Sequence, residues 1–171
     1  MYVDIISCKK TSKIEELAKK FNLSVFSLDQ LKPLRIIEGK NDETIRRVLE
    51  YQQADILLDP HQGRTKDSMH YRNSGLNQVL CELARRNRIF IGISLEKSYE
   101  PKELGKIMQN IRLCKKYSVP ILFFSLAKNE YGLRNPKDII SFCKVLGMTP
   151  GAANYAVAGL EDLLKRKNVK Y

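Results

Sequence analysis

Only two histidines, His61 and His70, occur in the chain, and its four cysteines, Cys8, Cys81, Cys114 and Cys143, form no C-x-x-C pair. That leaves little from which to build a zinc or redox centre. Cys81, Cys114 and Cys143 instead fall on the apolar faces of predicted helices, where a free thiol packs as a small hydrophobe. The expectation is of buried, reduced cysteines in a cytoplasmic protein. No P-loop, G-x-G-x-x-G, G-x-S-x-G or Cys–His pairing is present, so the familiar nucleotide-binding and nucleophilic signatures are missing. No apolar run approaches the roughly 20 residues that span a bilayer. The segment Met1-Tyr2-Val3-Asp4 has neither a basic start nor a following long apolar stretch, so secretion is not expected. Linkers, repeats and low-complexity segments are also absent, which predicts a single domain over residues 1–171.

Acidic residues are the last shortage: 19 Asp and Glu face 30 Lys and Arg, a net charge of +11. Such a surface is drawn to polyanions. With 43% hydrophobic and 29% charged residues, the 171-residue chain has apolar content enough for a core. Short β-branched runs alternate with amphipathic stretches from end to end. Residues 2–7, 25–28, 34–37, 54–58, 89–94 and 120–124 read as strands. Between them, Ser12 with Glu15 reads as a capping box opening a helix to about Phe21. Asn41-Asp42-Glu43 caps a helix with an Ile45, Val48, Leu49 stripe. Leu76, Val79, Leu80 and Leu83 recur at helical spacing. Pro101 starts a helix buried through Leu104, Ile107, Met108, Ile111 and Cys114. Asn135-Pro136 and Thr149-Pro150 begin the last two helices. The alternation predicts an α/β fold of βα repeats with a parallel sheet, like a TIM barrel but reduced or incompletely closed, since about six strands cannot complete eight.

In parallel α/β folds, binding residues gather on loops at the carboxyl ends of strands. The longest such loop, residues 59–74, carries Arg64, Lys66 and Arg72 for phosphates, Tyr71 for stacking, and Asn73 and Ser74 as polar contacts. A merely solvated loop is the plainer alternative. The same loop offers Asp59, His61, Asp67 and His70 to a divalent ion, a thin ligand set. A second loop, residues 125–136, places Lys128, Tyr131 and Arg134 after the last strand. The tail, residues 165–170, is cationic, and Arg85, Arg86 and Arg88 cluster where they also complement a helix dipole.

The run Gly63-Arg64 … Arg72-Asn73-Ser74-Gly75-Leu76-Asn77-Gln78-Val79-Leu80, followed by Ile89-Phe90-Ile91-Gly92-Ile93-Ser94-Leu95, resembles the ribonuclease P protein component 3 family. So do Met108-Gln109-Asn110-Ile111-Arg112-Leu113-Cys114-Lys115-Lys116-Tyr117, Val119-Pro120-Ile121, Leu133-Arg134-Asn135-Pro136-Lys137-Asp138-Ile139-Ile140 and Leu146-Gly147-Met148. The resemblance covers about residues 35–165. It implies a PHP-like, TIM-barrel-related fold and a non-catalytic subunit of the ribonucleoprotein that removes the 5′ leader from precursor tRNA. In that family the RNA hydrolyses with Mg2+, and this chain is expected to bind no cofactor and no metal of its own. Its implied partners are ribonuclease P RNA, precursor tRNA indirectly, the ferredoxin-like component 2 and other ribonuclease P protein subunits, with no membrane. Related PHP proteins hold metals through histidine-rich strand ends, whereas Asp4-Ile5-Ile6-Ser7 carries no histidine.

Two departures stand out: the chain is tens of residues shorter than is usual, before about residue 35, and the loop from Gly63 to Ser74 is longer than a compact G-R-x-D-S-G. Either Asp67-Ser68 or Asn73-Ser74 takes the place of that D-S.

The expected RNA contacts are Arg64, Lys66, Arg72, Lys128 and Arg134, with Arg112 and Lys115 as further candidates, and no catalytic residue. The alternative is a metal-dependent phosphoesterase of the PHP type using Asp59, His61 and His70.

Overall fold

The computed structural model describes residues 2–62, 67, 73–96 and 100–167. Strands and helices alternate as expected, and every pairing described below is parallel. The backbone separates into two compact units, residues 1–34, 94–96 and 122–171, and residues 35–93 and 97–121.

In the first unit, β1 (Tyr2–Ile6) and β2 (Leu23–Ser27) pair in register Tyr2↔Leu23 through Ile6↔Ser27. The crossover is α1 (Ser12–Lys20). Its cap is Thr11, not Ser12: extended backbone at Thr11 lets the hydroxyl accept the Ile14 amide at 3.3 Å. Ile6, Ile14, Ala18, Leu23 and Val25 form one apolar cluster with Ala127 and Leu133. The second strand begins earlier than its β-branched centre suggests, and Leu28–Leu31 is a 3-10 turn. The unit is completed by β6 (Ile121–Phe124), a 3-10 turn at Glu130–Gly132, α5 (Pro136–Val145) and α6 (Pro150–Arg166), which packs on β1. Asn135 and Thr149 cap these helices, each followed by its proline.

Asp4 lies in the middle of β1 and is buried. Its Oδ1 accepts the amides of Ile5 and Ser125, both at 2.8 Å, tying β1 to the segment after β6. Burial outweighs these bonds and pushes its carboxyl up to about 6.

In the second unit, β3 (Ile36–Glu38), β4 (Ile56–Leu58) and β5 (Phe90–Ser94) run parallel, aligning Ile36 with Ile56 and Ile56 with Phe90. The apolar sequences of β4 and β5, buried throughout, suit strands covered on both faces. Around them lie α2 (Asp42–Glu50), α3 (Gln78–Arg86) and α4 (Pro101–Tyr117). The Ile45, Val48, Leu49 stripe of α2 is buried as predicted. On α3 the stripe is displaced: Asn77 caps the helix, so Leu80, Cys81 and Ala84 turn inward and Val79 is left 57% exposed.

Gly39 brings the end of β3 against the turn after β4. Its amide donates to the Leu58 carbonyl at 2.8 Å, and a Cβ here would stand 2.7 Å from the Cα of Pro60. Because that obstacle is backbone, Gly39→Ala is expected to cost about 2 kcal/mol, or roughly 6 °C in Tm by thermal unfolding. An unchanged Tm would show that the turn yields freely.

Candidate functional site

The carboxyl end of β4 opens directly into a buried polar cluster. Asp59 takes a left-handed backbone (φ 47), its amide donates to the Gly92 carbonyl at 2.9 Å, and Gln62 Nε2 donates to its carboxylate at 3.1 Å. His61 is wholly buried, with Nε2 3.8 Å from Oε2 of Glu103. The other Glu103 oxygen accepts from the Lys106 ammonium at 2.9 Å, and Lys106 is itself buried. One turn further along α4, Asn110 donates Nδ2 to the Ser74 carbonyl at 3.0 Å. Glu103, Lys106 and Asn110 therefore form a polar stripe on one face of α4. Periodicity of apolar residues alone does not reveal it.

This arrangement suits structure better than metal chemistry. A fixed ammonium on Glu103 repels any second cation brought to that carboxylate. Among the described residues, no group of three or more His, Cys, Asp or Glu side chains is set to hold a metal ion. His70 lies outside the described residues; Asp67 accepts the Asn73 amide at 2.9 Å. The cysteines are free, and Cys81, Cys114 and Cys143 are buried as expected. Burial pushes the Cys143 thiol up to about 12, which leaves no thiolate at neutral pH.

Of the expected RNA contacts, Arg64, Lys66 and Arg72 lie outside the described residues. On the described residues to either side, Gln62 bonds Asp59 and Asn110 bonds the Ser74 carbonyl. Arg112 and Lys115 are both exposed on α4. At the ends of α3 and α4, Arg85, Arg86, Lys116 and Tyr117 line an open groove of about 770 Å3 together with Val79.

Lys128 and Arg134 share a loop in the first unit but differ in environment. Lys128 is exposed and ion-paired with Glu96. Arg134 is half-buried, and its guanidinium donates to the carbonyls of Tyr131 and Leu133, at 2.5 and 3.1 Å. It therefore holds a turn in place. The reading from sequence overlooked Lys9, Lys10 and Lys13. All three follow β1, whose end is joined to this loop by the Ser7 amide on the Ala127 carbonyl (3.0 Å), and Lys13 pairs with Glu130 (3.5 Å). The available signal was three lysines in five residues at the carboxyl end of a parallel strand.

A curated protein named Ribonuclease P protein component 3 from Methanosarcina mazei is 31% identical over 163 residues, covering 92% of this chain and 62% of that protein. The protein of that name from Methanococcus maripaludis is 30% identical, with 80% and 56% covered, and that from Methanocaldococcus jannaschii 27% identical, with 98% and 82% covered. The chain thus spans about 60% of the length of the first two relatives. Among solved structures, a chain of a cryo-EM structure described as archaeal Ribonuclease P with mature tRNA superposes with a TM-score of 0.65 at 25% identity, covering 98% of this chain and 84% of that one. Residues 16–171 match the family described as RNase P subunit p30, beginning earlier in the chain than the resemblance read from motifs. By that match, the chain belongs to the RNase P subunit p30 family.

Proposed function

We propose that this chain is a non-catalytic protein subunit of ribonuclease P that binds and supports the catalytic RNA during removal of the 5′ leader from precursor tRNA. One observation carries the reading: family membership over residues 16–171. The site chemistry supports it, because Glu103 is paired with Lys106 and Asn110 bonds the Ser74 carbonyl, while Arg112, Lys115 and Lys128 are exposed. The whole chain, residues 1–171, acts in this reading as one cytoplasmic subunit beside the component 2 protein and other protein subunits. It brings no cofactor, and Mg2+ belongs to the RNA. No helix of the described residues is long and apolar enough to cross a membrane.

The test is reconstitution. Precursor-tRNA cleavage by the catalytic RNA at low Mg2+ is expected to rise when this chain and its component 2 partner are added together, and no stimulation overturns the proposal. Within that assay, Arg64→Ala is expected to weaken RNA binding and flatten the slope of log affinity against log salt by about one unit. An unchanged slope removes Arg64 from the contact set. The phosphoesterase alternative predicts hydrolysis by the protein alone with Mn2+ or Zn2+; the Lys106–Glu103 pair beside His61 speaks against it.

A further inference from the structure

Resting on the ribonuclease P reading, we infer that the first unit carries a platform for single-stranded RNA, built from the loop after β1 and the loop after β6. Tyr131 is its stacking surface, and Lys9, Lys10, Lys13 and Lys128 are its phosphate contacts.

The two loops are joined by backbone. Besides its amide bond to Ala127, Ser7 donates its hydroxyl to the Leu126 carbonyl at 2.9 Å, and the Leu126 amide donates to the Ile5 carbonyl at 2.9 Å. Leu126 holds a left-handed backbone (φ 45), a conformation that a leucine adopts only when its surroundings impose it. The platform is therefore formed before any ligand arrives.

Tyr131 is 81% exposed, yet it stands on a fixed turn. Asn129 accepts the Gly132 amide at 3.2 Å, Arg134 clamps the Tyr131 carbonyl, and Gly132 lies so close to Ala127 that a Cβ would meet the Ala127 Cβ at 3.0 Å. A rigid turn that presents an aromatic ring to water gains nothing in stability from the ring. Among cations, such a ring is the standard stacking surface for an unpaired base.

The lysines are placed against the interest of the fold. Lys9 and Lys10 precede the Thr11 cap of α1 and Lys13 sits in its first turn, the end where the helix dipole favours anions. Lys13 is paired with Glu130 and Lys128 with Glu96. Lys10 lies over the Phe26 ring at 4.8 Å, and Lys9 has no ion pair among the described residues. A strand of phosphates would satisfy this excess of positive charge while its bases reach Tyr131. A duplex keeps its bases stacked on one another and offers nothing to the ring.

The experiment uses the full chain and two fluorescent probes, a ten-nucleotide oligouridylate and an RNA duplex of equal length, read by polarisation. Tyr131→Ala is expected to weaken oligouridylate binding roughly tenfold, with Tyr131→Phe restoring most of it. Lys9→Ala, Lys10→Ala and Lys128→Ala are each expected to lower the salt slope by about 0.7, whereas Lys144→Ala, exposed on α5, leaves it unchanged. Equal affinity for both probes, or a Tyr131→Ala chain that binds oligouridylate normally, overturns the platform. A Tyr131→Ala chain that keeps its RNA affinity but drops out of the assembled complex reassigns the surface to a protein partner. If these variants are silent while the wild-type chain still stimulates precursor-tRNA cleavage, the platform alone is wrong; no stimulation by wild type removes the proposed function itself.

Discussion

Replacing Lys106 with methionine is expected to destabilise the fold by about 3 kcal/mol, and replacing Glu103 with glutamine in the same chain is expected to recover most of that loss. The reason lies in desolvation. Lys106 is buried on α4, and its ammonium meets the Glu103 carboxylate at 2.9 Å beside a histidine with no exposure to water. Methionine fills nearly the same volume, so the cavity term is small. What remains is a carboxylate in a low-dielectric setting without the cation that offset its burial, which is the costly state. The double variant replaces charge by a neutral amide and methyl-capped stem, removing that penalty. Urea unfolding of the four chains of the double-mutant cycle measures the coupling. A coupling energy below about 0.5 kcal/mol would place the pair with ordinary surface ion pairs. The same cycle bears on function, since a cluster that exists to hold the end of β4 against α4 loses stability when broken and leaves RNA chemistry untouched.

The second large effect concerns Asp4 and pH. Burial, the dominant cause, pushes its folded carboxyl up from the usual 3.8 to about 6. The native state therefore binds the proton more tightly than the unfolded chain does. Stability contributed by the neutral form is fully present below about pH 4 and is lost as pH rises to about 6. The full span corresponds to about 3 kcal/mol. Asp4→Asn keeps an oxygen for the Ile5 and Ser125 amides and never ionises. The difference in unfolding free energy between variant and wild type is therefore expected to grow in favour of the variant across that window and to level off above pH 7. Because both chains share every other carboxylate, the difference isolates Asp4. A flat difference from pH 4 to 7 would sink the assignment.

Local signals in the sequence located most of the helices, because caps act over three or four residues: Asn41, Asn135 and Thr149 all accept the amides expected of them. The apolar runs at residues 54–58 and 89–94 likewise became β4 and β5, trimmed at the start by the loops that enter them. Where a partner comes from far along the chain, the pattern was silent. Asn110 turns inward because the Ser74 carbonyl, 36 positions earlier, awaits it, and Lys106 is buried with Glu103 beside His61. Leu104 and Met108, placed in the core by periodicity, are only partly buried as a result. Val79 similarly loses its place to Cys81 and Ala84 once Asn77 sets the start of α3. The net charge of +11 points to polyanions in general but gives no address on the surface. Lys9 and Lys10 gained meaning only when Ser7 was seen bonded to Ala127.

The first unit is assembled from both ends of the sequence: Ser7 bonds to a carbonyl 119 positions away and Asp4 to an amide 121 positions away. During synthesis, β1, α1 and β2 leave the ribosome long before β6 and α6 exist to cover them. At about 5–20 residues per second, the apolar side chains of Ile6, Ile14 and Val25 wait roughly 5–20 seconds for their cover. The second unit, drawn almost entirely from residues 35–121, is complete within that interval. The nascent chain is thus expected to fold from its middle outward, with its newborn amino-terminal strands the segment in need of a chaperone.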